Sequence, residues 1–267
     1  MSKLKNQQGS YILKNKEKLL NKKRKIKFIK RGIFLFILLT SVLVTLCLKL
    51  SYFDIAAVIV KGNENLTKEE IIERSNIKIG ENIFMLKTNK SLNSIKENPY
   101  VISSQVERKL PNQIIITIKE RKAAFYSKIN DEFYIIDNEG IILDKKKNIE
   151  NPKLVRLEGI NFSNPTLGGE IPLDNKKKLE DIKTLSDVIY NYNAKEENIK
   201  ITMIELNNFI DIKIHCNNNV YIKIGTDDNM AEKLSKAFSI LKDKQFKNMK
   251  GYIDVSFDGN PVIYKQN

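Results

Sequence analysis

The run Ile33–Leu48, IFLFILLTSVLVTLCL, carries no charge over sixteen residues, and a chain that contains such a run has few places to put it. As a helix it rises about 24 Å, and Gly32, Lys49 and Leu50 extend the span to roughly 28 Å, close to the hydrocarbon thickness of a bilayer. Lys30, Arg31 and Lys49 flank it, with stems long enough to carry their charges into the interface. A core helix of a soluble domain would show a polar stripe, whereas only Thr40, Ser41 and Thr45 interrupt this one. A cleaved signal peptide would need a small-x-small site after the run, and none follows. Val44-Thr45-Leu46-Cys47 has the outline of a lipoprotein anchor, but a leucine stands where that processing wants a small residue. The run is therefore read as an uncleaved membrane anchor.

Charge sets the expected orientation. Residues 1–31 hold ten lysines and two arginines against Glu17, a balance of +11 out of +14 for the whole chain. The positive-inside rule keeps this arm in the cytoplasm and places residues from about 51 onward outside. The basic excess belongs to the arm and not to the folded part. Nucleic acid is a conceivable partner for such an arm, but anionic lipid headgroups beside a span explain it more simply, at about 1 kcal/mol per basic residue near the surface. Membrane lipids are thus the expected partners of arm and span, and no nucleic acid is expected. Leu19, Leu20, Ile26, Phe28 and Ile29 are spaced through the arm and could lay a short amphipathic helix on the inner leaflet, but the favoured reading is a solvated topogenic tail.

The external part is long enough for one large or two small cored domains. Cys47 in the span and Cys216 in an expected strand cannot pair, so the exterior depends on its core without disulfide staples. Ile55–Val60 reads as a strand ended by Gly62 and Asn63. Thr67-Lys68-Glu69-Glu70 has the form of a capping box, with Leu66 and Ile71 placed for a hydrophobic staple, so a helix is expected over Lys68–Ser75. A second short helix, about Lys90–Glu97, stops before Pro99. Ser103–Leu110 and Gln113–Glu120 then form a hairpin through Pro111 and Asn112, with Ile114, Ile116 and Ile118 on one face. Strand, helix, helix, strand, strand makes a complete small layered core.

These residues carry a resemblance. The element order beside a single span is similar to a POTRA domain, and Val106-Glu107-Arg108-Lys109-Leu110-Pro111-Asn112-Gln113-Ile114 through Glu120-Arg121 resembles the second half of that domain in the bacterial cell-division family FtsQ/DivIB. Val60-Lys61-Gly62-Asn63, Gly80-Glu81-Asn82-Ile83-Phe84 and Asn98-Pro99-Tyr100-Val101 fit the same pattern; Ala123 stands where the family usually has proline. In physical terms Leu110 is expected to cap the core end of the hairpin and Pro111 to set φ in its turn. Arg108, Glu120 and Arg121 are read as cross-strand charge pairs on the wet face.

The remainder reads as a mostly antiparallel β domain with two helices, the whole being α+β. Expected strands are Ala124–Ile129, Phe133–Ile136, Ile141–Leu143, Leu154–Leu157, Ile199–Leu206, Phe209–Cys216, Val220–Ile224, Tyr252–Phe257 and Val262–Tyr264. Lys145–Pro152 reads as a charged loop and Asn161–Pro172 as irregular. Helices are expected over Lys176–Tyr192 and Asn229–Lys242, the second capped by Asp227 or Asp228. Phe133–Leu143 again resembles the opening of the FtsQ/DivIB β domain. The expected boundaries are an arm at 1–31, a span at 32–50, a POTRA domain at 51–121, a β domain at 122–264 and a tail at 265–267.

No catalytic constellation is visible. His215 and Cys216 are strand neighbours whose side chains diverge, and no residue set has zinc or calcium spacing. Asp137, Glu139 and Asp144 read as turn-forming and solvating carboxylates. Neither cofactor nor small-molecule substrate is expected. The resemblance implies a non-enzymatic divisome scaffold at the septum that binds small bitopic partners of the FtsL and DivIC/FtsB types, along with other divisome proteins, and helps position and regulate septal peptidoglycan synthesis. It places the partner surface on the last strands, at Tyr252, Val255, Phe257, Val262, Ile263 and Tyr264. The rivals are an anchored receptor for extended polypeptides and an anchored cell-wall enzyme.

Overall fold

Ser2–Lys49 form one helix, α1, and in its apolar half twelve large side chains from Ile33 to Leu48 are exposed on every side. At about 1.5 kcal/mol or more for each such side chain kept in water, the penalty exceeds the ~5–15 kcal/mol that holds a domain together. Hydroxyls do not relieve it, because Thr40 Oγ1 donates to the Phe36 and Ile37 carbonyls and Thr45 Oγ1 to the Ser41 carbonyl. The helix is a candidate transmembrane segment. The computed structural model describes residues 2–149, 151, 153–160, 164–173, 176–195, 200–208, 210–216, 219–246 and 249–266. Expected strand starts at Ile199 and Phe209, and residues 161–163 of the expected irregular segment, lie outside the described residues.

Two compact units are distinguished. One comprises Met1–Ile59, Ile77–Thr88 and Glu107–Ile115, the other Val60–Asn76, Asn89–Val106 and Ile116–Asn267. A three-stranded sheet takes the order β1 (Ala57–Lys61), β3 (Gln113–Glu120), β2 (Val101–Lys109). Ile114, Ile116 and Ile118 are buried while Thr117 and Lys119 are exposed, the expected period of two. Gly62, at φ +80°, follows β1; a Cβ there would lie 2.1 Å from the Ile118 carbonyl oxygen, so only glycine fits. Helix α2 (Lys68–Ser75) begins as the capping box dictates: Thr67 Oγ1 accepts from the Glu70 amide at 3.2 Å and Glu70 Oε2 accepts from the Thr67 amide at 2.8 Å. It ends on Asn76 in the left-handed region. Helix α3 (Thr88–Lys96) buries Ser91 and Ile95.

The second sheet has nine strands in the order β12-β11-β10-β9-β8-β7-β4-β5-β6. In chain order these are β4 (Ala123–Ile129), β5 (Glu132–Asp137), β6 (Ile142–Lys146), β7 (Val155–Glu158), β8 (Ile201–Glu205), β9 (Ile212–Cys216), β10 (Val220–Gly225), β11 (Gly251–Asp254) and β12 (Val262–Lys265). Most neighbours are antiparallel, but β4 with β7 is parallel, the chain running from one to the other through β5 and β6, and so, further on, are β7 with β8 and β10 with β11. A parallel pair needs a crossover, and α4 (Lys176–Lys195) and α5 (Met230–Lys242) lie in the last two of these connections. Their apolar faces join one core with the sheet: Ile182, Leu185 and Ile189 from α4, Leu234, Ala237 and Phe238 from α5, and Ile204, Ile214, Ile222 and Ile253 from the strands. The Tyr192 and Phe238 rings stack at 3.6 Å.

Three local expectations are corrected. Strand β6 continues through Lys146 into the stretch read as a loop, because Lys145 and Lys146 pair with Tyr134 and Phe133 on β5. The N-cap of α5 is Asn229, in the left-handed region and without a side-chain cap bond; Asp228 instead accepts from the Thr226 hydroxyl. Strand β11 stops at Asp254, whose Oδ1 accepts from both the Ser256 amide and hydroxyl. The capping box generates a prediction: Thr67→Ala costs the full-length protein in detergent about 1 kcal/mol in chemical denaturation, and a change under ~0.3 kcal/mol would contradict its role.

Candidate partner-docking edge

The expected binding residues collect at one end of the nine-stranded sheet, and the structure sorts them. Strand β12 bonds β11 on one side and, among the described residues, no strand on the other. Gln266 donates its amide to the Lys250 carbonyl at 2.8 Å, so amides two and four residues earlier face β11 and those of Ile263 and Lys265 face the open edge. Ile263 packs partly against the core and Val255 lies inside it at 3 % exposure. Val255 therefore leaves the surface set, since the apolar floor beneath the sheet end claims its side chain. Phe257 (47 %), Val262 (49 %) and Tyr264 (51 %) remain exposed and Tyr252 half-buried.

Tyr264 does not stand alone. His215, Tyr221, Tyr252 and Tyr264 occupy directly opposed positions on β9, β10, β11 and β12, and their ring centroids follow at 5.6, 5.4 and 5.2 Å. Lys223 Nζ sits 4.0 Å from the Tyr252 centroid and 3.9 Å from Asp254 Oδ2, adding a cation–π contact and an ion pair to this row. The row orients Tyr264 from behind. Gly251 is needed beneath it: at φ +131° its absent Cβ would lie 2.1 Å from the Tyr264 carbonyl oxygen, so any side chain there pushes β12 away. Tyr221 escaped the sequence reading, although the alternation over Val220–Gly225 puts an aromatic at a wet-face position where a polar residue is usual.

The other singled-out residues are structural. Arg108 is no cross-strand charge pair: its Nε donates to the Ile83 carbonyl at 2.8 Å and its Nη2 to the Leu86 carbonyl at 2.6 Å. Glu120 is buried and accepts from the amides of Glu64, Asn65 and Leu66 and from the Asn65 side chain, because the loop after Gly62 presents three amides that a carboxylate satisfies together. Arg121 pairs with Asp137 at 2.9 Å. Asp137, 1 % exposed, also accepts from the Glu139 and Ile141 amides, so it closes the expected turn and anchors the ion pair. Leu110 is exposed rather than capping a core, and Pro111 follows it through a cis peptide.

Chemistry is sparse. Cys216 faces the core and burial pushes its thiol up to about 12, so no thiolate forms near neutral pH. His215, on the opposite face, lies 3.3 Å from Glu205 Oε2. Among the described residues no group of three or more His, Cys, Asp or Glu side chains is placed to hold a metal. The buried ion pair gives a testable consequence: Arg121→Ala leaves Asp137 buried without its counter-charge and destabilises the protein by about 3 kcal/mol, read from denaturant midpoints, whereas a loss below ~1 kcal/mol would show that the turn amides suffice.

Comparison with known proteins agrees with this architecture. Residues 53–121 match the POTRA domain, FtsQ-type, and residues 125–256 match the family described as cell division protein FtsQ/DivIB, C-terminal. The chain is 41 % identical over 243 residues to the cell division protein DivIB of Clostridium botulinum (strain Hall), covering 91 % of this chain and 93 % of that one. It is 43 % identical over 230 residues to DivIB of Clostridium tetani, covering 85 % of each, and 32 % identical over 126 residues to DivIB of Bacillus subtilis, covering 46 % and 48 %. With both family models matched and the two clostridial relatives covered over 85 % or more of their length, this chain belongs to the FtsQ/DivIB family of cell-division proteins.

Proposed function

We propose that the chain is a non-enzymatic, single-pass scaffold of the division machinery whose β12 edge captures small bitopic division proteins of the FtsL and DivIC/FtsB types. In doing so it helps position and regulate septal peptidoglycan synthesis, beside other divisome proteins. The observation that carries this reading is a strand, β12, with one edge unpaired among the described residues and bordered by three exposed apolar side chains, Phe257, Val262 and Tyr264. Unpaired strand edges are usually blunted. Here the open amides of Ile263 and Lys265 offer backbone hydrogen bonds to an added strand, and Phe257 and Tyr264 serve as its anchors. Tyr252 and Gly251 act behind the edge, the first by stacking and the second by admitting β12 at close range.

In this reading residues 1–31 lie in the cytoplasm against anionic lipid, 32–50 cross the bacterial cell membrane, and a POTRA domain (51–121) and β domain (122–264) stand outside at the septum, with a tail at 265–267. No cofactor, nucleic acid or small-molecule substrate enters the mechanism; its energy comes from surface burial and backbone pairing.

Capture from native membranes tests it. The full-length protein is expected to recover two small single-span coiled-coil proteins, and Phe257→Asp or Tyr264→Asp to reduce recovery by roughly 30-fold, the loss of one ~2 kcal/mol hot spot, with unchanged circular dichroism. Undiminished capture by both folded variants would refute the edge assignment. Broad affinity for unfolded polypeptides would favour a receptor instead, and cell-wall turnover by the exterior would favour an enzyme.

A further inference from the structure

We propose that the segment Gly80–Leu86, with Tyr52, forms an apolar foot that rests in the bilayer interface at the far end of the span from the basic arm. The proposal depends on α1 crossing a membrane as read above. Its basis is a tether. The Asn82 side-chain amide donates to the carbonyls of Cys47 at 3.0 Å and Leu48 at 3.3 Å, the last two residues of the uncharged run. These are helix-end carbonyls with no partner of their own, and near hydrocarbon an unmet carbonyl is expensive. Asn82 is thereby held at the depth where the apolar run ends.

The rest of the segment is held at that depth with it. The Phe84 amide donates to Asn82 Oδ1 at 3.0 Å, the Ile83 amide donates to the Phe53 carbonyl and the Ile55 amide to the Glu81 carbonyl, both at 2.9 Å, and Asp54 and Asn82 form a β-bridge. Arg108 grips the same segment at the Ile83 and Leu86 carbonyls. Ile83 and Leu86 are buried, but Met85 and Tyr52 are each 64 % exposed and Phe84 39 %. The Tyr52, Phe53 and Phe84 rings are neighbours at 5.2 and 5.3 Å. A cluster of two further aromatic rings and a thioether around Phe53, fixed at the end of a span, matches the belt that aromatic residues form at headgroup level. Lys49, Lys78 and Lys87 are exposed around it and suit lipid phosphate. Lipid is the occupant chosen because the tether sets the depth of these side chains, and headgroups surround a lone helix there. The foot would hold the unit containing it against the membrane, so that motion of α1 moves the segment as one piece.

The chain contains no tryptophan, so one introduced residue reports its surroundings alone. Phe84→Trp, Met85→Trp and, as reference, Leu39→Trp are made separately in the full-length protein and reconstituted into phosphatidylcholine–phosphatidylglycerol vesicles. Part of the phosphatidylcholine is brominated either near the headgroup or deep in the acyl chain. Both loop variants are expected to show blue-shifted emission quenched more strongly by shallow than by deep bromine, and Leu39→Trp the reverse order. If Leu39→Trp is quenched while Phe84→Trp and Met85→Trp emit as in water and escape quenching, the foot is overturned and the span stands. If Leu39→Trp also escapes, the span itself fails, and the foot with it.

Discussion

Backbone amides and carbonyls withdrawn from water must find partners, and that requirement decides the joints of this protein. Three side chains meet it at long range. Asn82 satisfies the last carbonyls of α1, Arg108 bonds two carbonyls of the Gly80–Leu86 segment, and Glu120 gathers three amides of the loop after Gly62. Asp137 does the same for its own turn while holding Arg121. Each of these groups bonds main chain, which is why residues that look like surface charges in the sequence behave as clamps. Against this background the amides of β12 that face away from β11 stand out, because no strand among the described residues bonds them.

The two ends of the molecule's chemistry differ in kind. At α1 the apolar side chains of Ile33–Leu48 have no cover among the described residues, which is the character of a candidate transmembrane segment. At β12 Ile263 packs partly against the core, Tyr264 on the other face is stacked into a row of rings, and the outer strand edge has no paired strand among the described residues. A rigid row behind an open edge would lower the ordering cost of adding a strand, since Tyr264 is already oriented by stacking on Tyr252. Gly251 sets the condition for this arrangement by letting β11 and β12 approach.

Much of the fold was legible because its signals are local. The bounds of α2 follow from a capping box that spans four residues, and the alternation Ile114, Ile116, Ile118 marks the buried face of β3 without knowledge of its neighbours. What escaped was non-local. Glu120 meets amides more than fifty residues away, so its burial has no signature nearby. The parallel pairs β7–β8 and β10–β11 assign α4 and α5 as crossovers, which strand and helix periodicities do not encode. Val255 and Phe257 continue the alternation of Tyr252–Asp254 and read as one strand, but Asp254 folds back onto Ser256 and ends it. Of the expected docking residues Tyr252, Phe257, Val262 and Tyr264 reach the surface and Val255 does not, a distinction that depends on the core beneath them. The edge position of β12 came from family resemblance, since sheet order is a property of the whole chain.

Strand addition at β12 is the central claim, and backbone hydrogen exchange measures it directly. Amide exchange in the full-length protein is to be compared with and without its captured partners, resolved over Val262–Gln266. Addition of a strand predicts that the amides of Ile263 and Lys265, open in the isolated protein, become strongly protected while those of Val262 and Tyr264, already bonded to β11, change little. Bound partners with unchanged exchange at Ile263 and Lys265 would contradict the account and move the interface off the strand edge.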